Sequence, residues 1–311
     1  VTRVAAKLEA DVFPFPAESE IRELINLAKR EDLGNDDVTS RLMVPEDQIG
    51  VGTLMQKETG IACGLPIVEM ICRAYGERLR VEMIPGFHME IIEGRFADAR
   101  STPLLRLRGP MRSLLAAERV ILNFLQHMGG VATQTQRFVR RVAGTSAKIC
   151  DTRKTIPGFR ALDKYAVRCG GGMNHRIGLF DGLLVKDNHI AAIPLRDLAT
   201  QLSQTIARSK AEDPARFIEV EVDNLTQLRE VLKVDGIHVI LLDNMDCPTM
   251  EQAVSLRNTA GKKGSVQMEA SGGVTLDTVR QIAMTGIDRI AVGALTHSAL
   301  ALDVGLDVEE Q

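Results

Sequence analysis

From about residue 145 the chain alternates short β-branched runs with helical stretches, and no other feature limits its fold as strongly. The runs are 147–151 (AKICD), 182–186 (GLLVK), 217–222 (FIEVEV), 237–242 (IHVILL), 266–270 (VQMEA) and 288–292 (DRIAV). Helix-like segments lie between them, around 159–169, 194–208, 224–233, 248–259 and 275–285. Repeated βα units imply a parallel sheet. No dinucleotide-type glycine fingerprint follows the first run, which favours a barrel over a doubly wound sheet. Six units are legible where a full barrel has eight, so the expected barrel is incomplete.

The first 130 or so residues read differently. Ile21, Leu24, Ile25 and Ala28 have helical spacing, and Gly34 is a natural stop. Strand candidates follow at 49–56, 78–83 and 103–108. Pro110 suits the first turn of a helix reaching about Met128, with Gly129-Gly130 ending it. Apolar residues on nearly every face mark that helix as buried, yet it carries Arg112 and Arg119 on one side. Buried arginines need partners, which Glu118, another segment, another subunit or an anionic ligand would supply.

Composition removes several classes. No apolar run approaches the length of a membrane span, and charges at Arg3, Lys7, Glu9 and Asp11 interrupt any secretory core. The odd number of cysteines, five, and the lack of any C-x-x-C pair fit free thiols in a reducing cytoplasm. A net charge of -3 argues against a nucleic-acid partner. Yet the stretch from Asp151 to His189 carries seven Lys or Arg against four Asp. A local cationic patch in an acidic chain suits a small anionic ligand, although a solvated helix face would look the same.

Active groups of βα barrels sit at the C-terminal ends of the strands. Here those ends read Asp151-Thr152-Arg153-Lys154, Lys186-Asp187-Asn188-His189, Glu219 to Asp223, Asp243-Asn244, Glu269-Ala270-Ser271-Gly272-Gly273, and Gly293. Arg153, Lys154, His175, Arg176 and Lys186 would meet anionic groups. Glu219, Glu221 and Asp223 share one strand face; if it faces the interior, Lys154 and Lys186 are candidate partners. Glu221 and Asp243 would otherwise meet Mg²⁺ or ribose hydroxyls. Ser271-Gly272-Gly273, before a helix expected near Leu276, and Gly293-Ala294 suit phosphate, because glycine turns expose backbone N–H groups. Together they describe transfer from a phosphorylated sugar to an acidic acceptor.

At these residues the chain resembles the quinolinate phosphoribosyltransferases. The resemblance rests on Asp151-Thr152-Arg153-Lys154-Thr155-Ile156-Pro157-Gly158, Lys164-Tyr165-Ala166-Val167, Gly170-Gly171-Gly172, Asn174-His175-Arg176 and Lys186-Asp187-Asn188-His189. Ala117-Glu118-Arg119, Leu122-Asn123, Glu219 to Asp223, Leu241-Leu242-Asp243-Asn244, Ala270 to Gly273, Val292-Gly293-Ala294 and Glu31 to Gly34 extend it over nearly the whole chain. It implies an N-terminal α/β sandwich domain (1–129), an incomplete six- or seven-stranded parallel βα barrel (130–293), and a tail (294–311) returning to the first domain. It also implies phosphoribosyl transfer to quinolinate with Mg²⁺, by a homodimer with shared sites or a hexamer built as a trimer of dimers. Quinolinate would meet Arg119 from the partner subunit, Thr152, Arg153, His175 and Arg176. Phosphoribosyl pyrophosphate would meet Lys154, Lys186, Glu221, Asp243, Ser271, Gly272, Gly273 and Gly293. Glu221, Asp243, Lys154 and Lys186 would form the catalytic group, with Glu221 and Asp243 on the metal, directly or through water.

Two departures stand out: Met128-Gly129-Gly130 where the family commonly has Ser-Gly, and Asp36-Asp37-Val38-Thr39-Ser40 where Gly-Asp-x-Thr-Ser is usual. Neither removes a charged ligand group. A related branch associated with molybdenum transport genes shares much of this barrel; the full Arg/Lys/His set favours quinolinate. A Schiff-base aldolase using Lys154 or Lys186 and a non-catalytic anion binder are the readings from other classes.

Overall fold

The computed structural model describes residues 14–82, 84, 93–97 and 102–309. The N-terminal charges read above and Met83 of the 78–83 candidate lie outside the described residues. Two compact units interleave along the chain. One joins Arg137–Lys154 to Gly172–Ala294; the other joins the described parts of Val12–Gln136 to Thr155–Gly171 and Leu295–Gln311.

In the second unit, α1 (Glu18–Leu33) buries Ile21 and Ile25 and stops at Gly34, whose φ of 55° only glycine adopts freely. Next is α2 (Val38–Met43), where Asp37 caps the Ser40 amide. The following elements are β1 (Ile49–Gln56), β2 (Gly60–Ile61), α3 (Leu65–Tyr75), β3 (Arg80–Glu82), β4 (Phe96–Ala97), β5 (Thr102–Pro110), α4 (Met111–Arg141) and α5 (Arg160–Cys169). β1 is the centre of an antiparallel sheet, paired with β5 on one side and with the last strand, Val304–Val308, on the other; β3 extends the β5 edge.

Two expectations for α4 fail. The helix does not end at Gly129-Gly130 but runs on to Arg141, and Pro110 closes β5 instead of starting the helix. The glycines serve close approach. A Cβ on Gly130 would lie 2.1 Å from the Leu300 carbonyl oxygen, and one on Gly129 would lie 2.9 Å from Leu302. Packing against the returning tail therefore outweighs glycine's roughly 1 kcal/mol helix penalty per residue. The arginines are not buried either: Arg119 is exposed, and Arg112 donates to the carbonyls of Val44 (2.9 Å) and Arg41 (3.2 Å).

The other unit contains β6 (Lys148–Cys150), β7 (Gly182–Val185), β8 (Phe217–Val222), β9 (Val239–Asp243), β10 (Gln267–Ser271) and β11 (Arg289–Ala291). They form a parallel sheet in the order β6-β11-β10-β9-β8-β7. That is the cyclic order of a barrel left open between β7 and β6. A single parallel bridge, Cys150 to Met173, adds a vestigial seventh strand beside β6. β8 is buried on both faces: Ile218, Val220 and Val222 at 0% exposure on one, Glu219 and Glu221 on the other. The apolar face supplies about 1.5–3 kcal/mol per side chain, which helps offset the burial of two carboxyls in the interior.

Candidate active site

Strand register sets most of the site. Beside β6, Met173 N–H donates to Ile149 O (2.8 Å) and Asp151 N–H to Met173 O (3.0 Å). The fully buried Asp151 carboxylate accepts from the His175 amide (2.8 Å) and from Asn174 Nδ2 (2.5 Å). Asp151 thus straps the segment carrying His175 and Arg176 to the strand end.

Both nitrogens of His175 are engaged. Nδ1 accepts the Arg176 amide at 2.7 Å, and Nε2 lies 2.7 Å from Glu219 and 3.6 Å from Glu269. Burial disfavours a charged ring, but Glu219 and Glu269 outweigh it and raise the pKa above its ordinary value. A neutral ring in this arrangement carries its proton on Nε2; an imidazolium would forfeit the Arg176 bond, so protonation and the 175–176 turn are linked. Behind it, Arg289 Nε donates to Glu269 at 2.6 Å, with the two residues in register on β11 and β10. The guanidinium also lies 5.9 Å from the Phe217 ring centroid. Burial pushes the Glu269 carboxyl up, and the Arg289 charge opposes it.

Arg153 and Arg176 sit close enough that, after burial, Arg153 is the main influence lowering the Arg176 pKa. Among the described residues the Nε atoms of both are buried without a hydrogen-bond partner, while Arg176 Nη1 reaches Gly182 O at 3.2 Å. Two neighbouring cations with unmet buried donors make a site for an anion. A hollow of about 370 Å³ lined by Arg176, Phe180, Leu183, His189 and Arg216 opens nearby. The acidic pair does not line it, so it is not the whole site.

Lys186, one residue beyond β7, places Nζ 3.6 Å from Glu221 Oε2. Burial pushes the Glu221 carboxyl up, Lys186 opposes this, and Asp243 adds to it. Asp243 is in register with Ser271 and accepts from Asn244 Nδ2 at 2.8 Å. Asn244 has a left-handed φ of 52°, with its amide donating to Ser271 O at 2.9 Å. Gly272 has φ +98°, and a Cβ there would lie 2.0 Å from Asn244 Oδ1. Gly273 has φ +59° with nothing within 4 Å of a Cβ, so its backbone faces open space.

The sequence-derived residues Thr152, Arg153, Lys154, His175, Arg176, Lys186, Glu221, Asp243, Ser271, Gly272, Gly273 and Gly293 all fall in this one unit. Arg119 does not; it lies on α4 in the other unit. Of the three carboxylates read onto one strand face, Glu221 meets a lysine and Glu219 meets His175 on β8, whereas Asp223 falls one residue beyond the strand and is exposed. The helix expected near Leu276 begins at Val279, because Thr275 and Thr278 bond each other's backbone amides first. Sequence reasoning missed Arg289. Its only signal was a cation inside the apolar run DRIAV, opposite a strand bearing Glu269.

The family descriptions "Quinolinate phosphoribosyl transferase, N-terminal domain" and "C-terminal domain" match residues 37–129 and 131–307. The nicotinate-nucleotide pyrophosphorylase [carboxylating] of Mycobacterium leprae is 39% identical over 292 residues, covering 92% of this chain and 96% of that protein. The probable counterpart from Bacillus subtilis is 37% identical, with 93% of each covered. The solved nicotinate-nucleotide pyrophosphorylase from Francisella tularensis superposes with a TM-score of 0.82 at 33% identity, covering 94% of this chain and 98% of that one. With both domains matched over most of its length, the chain belongs to the quinolinate phosphoribosyltransferase family.

Proposed function

We propose that the chain transfers the phosphoribosyl group of phosphoribosyl pyrophosphate to quinolinate with loss of CO₂, giving nicotinate mononucleotide and pyrophosphate for NAD biosynthesis. The observation that carries this is the Arg153–Arg176 pair, whose buried Nε donors lack partners. It lies in the same unit as Lys186, Glu221 and Asp243. A dianionic pyridine would answer both unmet Nε donors at once.

Arg153 and Arg176 hold the two carboxylates, with Thr152 and Lys154 beside them, and His175 orients Arg176 through its amide. Exposed Arg119 completes the neighbouring subunit's quinolinate pocket in a homodimer or a hexamer of three dimers. The N–H groups of Ser271, Gly272, Gly273 and Gly293 hold the 5-phosphate, and the open face above Gly273 leaves room for it. The donors Glu221 and Asp243 are hard oxygens, with the Asp243 charge close enough to help push the Glu221 carboxyl up, and so fit Mg²⁺. When bound, Mg²⁺ would neutralise charge on the diphosphate. Glu221 and Asp243 stabilise positive charge at C1 of the ribose as its bond to pyrophosphate breaks. Lys186 opposes the upward push of burial on the Glu221 carboxyl and aims it. The pyridine nitrogen is a weak nucleophile, so holding it in line with C1 supplies much of the catalysis. After N–C1 bond formation the cationic ring accepts the electron pair of the breaking C2–carboxylate bond, and a proton then replaces CO₂ at C2.

No described helix is long and apolar enough to cross a membrane, and five free cysteines fit a reducing cytoplasm. The direct test is a product assay: purified protein, quinolinate, phosphoribosyl pyrophosphate and Mg²⁺, with nicotinate mononucleotide read by chromatography. Product that vanishes on chelating Mg²⁺ is expected. No product from folded protein would overturn the assignment.

A further inference from the structure

A second cluster of chemical groups lies in the unit built around β1, among residues given no role above. The Glu93 carboxylate accepts the amides of Gly64 (2.7 Å) and Leu65 (2.9 Å), the first N–H groups of α3. Tyr165 adds a hydroxyl hydrogen bond. Cys169, the last residue of α5, places Sγ 4.0 Å from Glu93 Oε1. Cys63, at 2% exposure, completes the cluster. One ligand atom from each of the three residues lies within 4.8 Å of the other two. Among the described residues no Lys, Arg or His pairs with Glu93, although burial pushes its carboxyl up.

Capping α3 requires a carboxylate only; it requires neither thiol. Two sulfurs and a carboxylate oxygen are the donor set of a borderline-soft divalent cation. Tetrahedral Zn²⁺, with sulfur at about 2.3 Å and oxygen at about 2.0 Å, separates its S and O donors by about 3.5 Å. The 4.0 Å observed between Cys169 and Glu93 needs little closure. The charge is also suitable. Zn²⁺ entering as both thiols lose their protons leaves the net charge of the cluster unchanged. The two α3 amides therefore keep the anion they already hold, and orient it as an outer shell does.

We infer that Cys63, Glu93 and Cys169 form a structural Zn²⁺ site, with Tyr165 or a water in the fourth position. It ties the start of α3 to the end of α5. Zn²⁺ takes both sulfurs as thiolates, so uptake by the dithiol form releases two protons per ion.

The test uses the full chain, reduced and stripped of metal, titrated with Co²⁺ alone. The expected result is one equivalent with a thiolate-to-cobalt charge-transfer band, unaffected by excess Mg²⁺, erased by Zn²⁺, and accompanied by two protons in weak buffer. Insensitivity to Mg²⁺ separates this site from oxygen ligands at Glu221 and Asp243. Cys63→Ser and Cys169→Ser should each lose the band, and Glu93→Gln should weaken Zn²⁺ binding on the order of 10–100-fold. Proton release and native mass spectrometry on the unmutated chain keep the test decisive if a variant fails to fold. Absence of the band in folded, reduced wild type, or its survival in either cysteine variant, overturns the site. So does a Cys63–Cys169 disulfide with no ion bound after its reduction.

Discussion

Replacing Arg289 with Met should show how far the interior of the barrel depends on one guanidinium. Arg289 is 1% exposed and Glu269 0%, and their contact is 2.6 Å. Among the described residues, removing the cation leaves Glu269 with only His175, at 3.6 Å, as a neighbour of opposite polarity. Breaking a buried pair from one side costs about 3–5 kcal/mol, or roughly 6–20 °C in Tm for a unit of this size. The loss must depend on pH. Burial already raises the Glu269 pKa, and without Arg289 that push is unopposed. The folded variant then binds more protons than the unfolded chain wherever pH exceeds the unfolded value of about 4.3. Stability of the variant therefore falls relative to wild type as pH rises from about 5 to 8, and recovers on acidification. Urea unfolding of both proteins across that range measures it. Glu269→Gln in the same chain should restore most of the loss, since an amide at 269 leaves no carboxylate there for a guanidinium to balance. A cost below about 1 kcal/mol at pH 8, or no rescue by Glu269→Gln, would refute the reasoning.

Four further outcomes are expected. Glu221→Gln should lower kcat roughly 100-fold or more while leaving quinolinate Kd nearly unchanged, since its charge acts on the ribose rather than the pyridine; single-turnover kinetics with equilibrium binding separates the two. Gly272→Ala should cost about 1–3 kcal/mol through its positive φ and the Asn244 contact, seen as a lower Tm and a raised KM for phosphoribosyl pyrophosphate. Burial holds the His238 pKa below its ordinary value, and its Nδ1 accepts the Ile218 amide. Its stability contribution should be complete above about pH 6.5 and lost as pH falls through the folded value, a loss absent from His238→Asn on acid titration. Arg119→Ala and Lys154→Ala, each inactive alone, should regain about a quarter of wild-type activity when mixed and reassembled, because half the dimers then carry one intact site; no recovery would argue against a shared site.

Local periodicity carried most of the fold. The six strands of the open barrel and the helix at 18–33 follow from alternation and from Gly34, signals acting within a few residues. Charged residues at the strand ends marked the site for the same reason, since position along a βα unit is itself local. The misreadings share one cause. Gly129-Gly130 looked like a stop because the Leu300 backbone that needs those glycines lies far along the chain. Arg119 looked buried because the apolar residues around it do not reveal which face of α4 is covered.

Residue types and their order thus determined that a parallel βα sheet forms, and that cations, carboxylates and glycine turns gather at its C-terminal ends. The tertiary structure alone decided the pairings. Register set Glu269 against Arg289 and Ser271 against Asp243, the Asp151 strap placed His175 on Glu219, and Arg153 came to lie beside Arg176. Sequence spacing fixes which face a side chain takes, but the distance between charges on different strands, and hence their mutual energy, exists only once the sheet has curled.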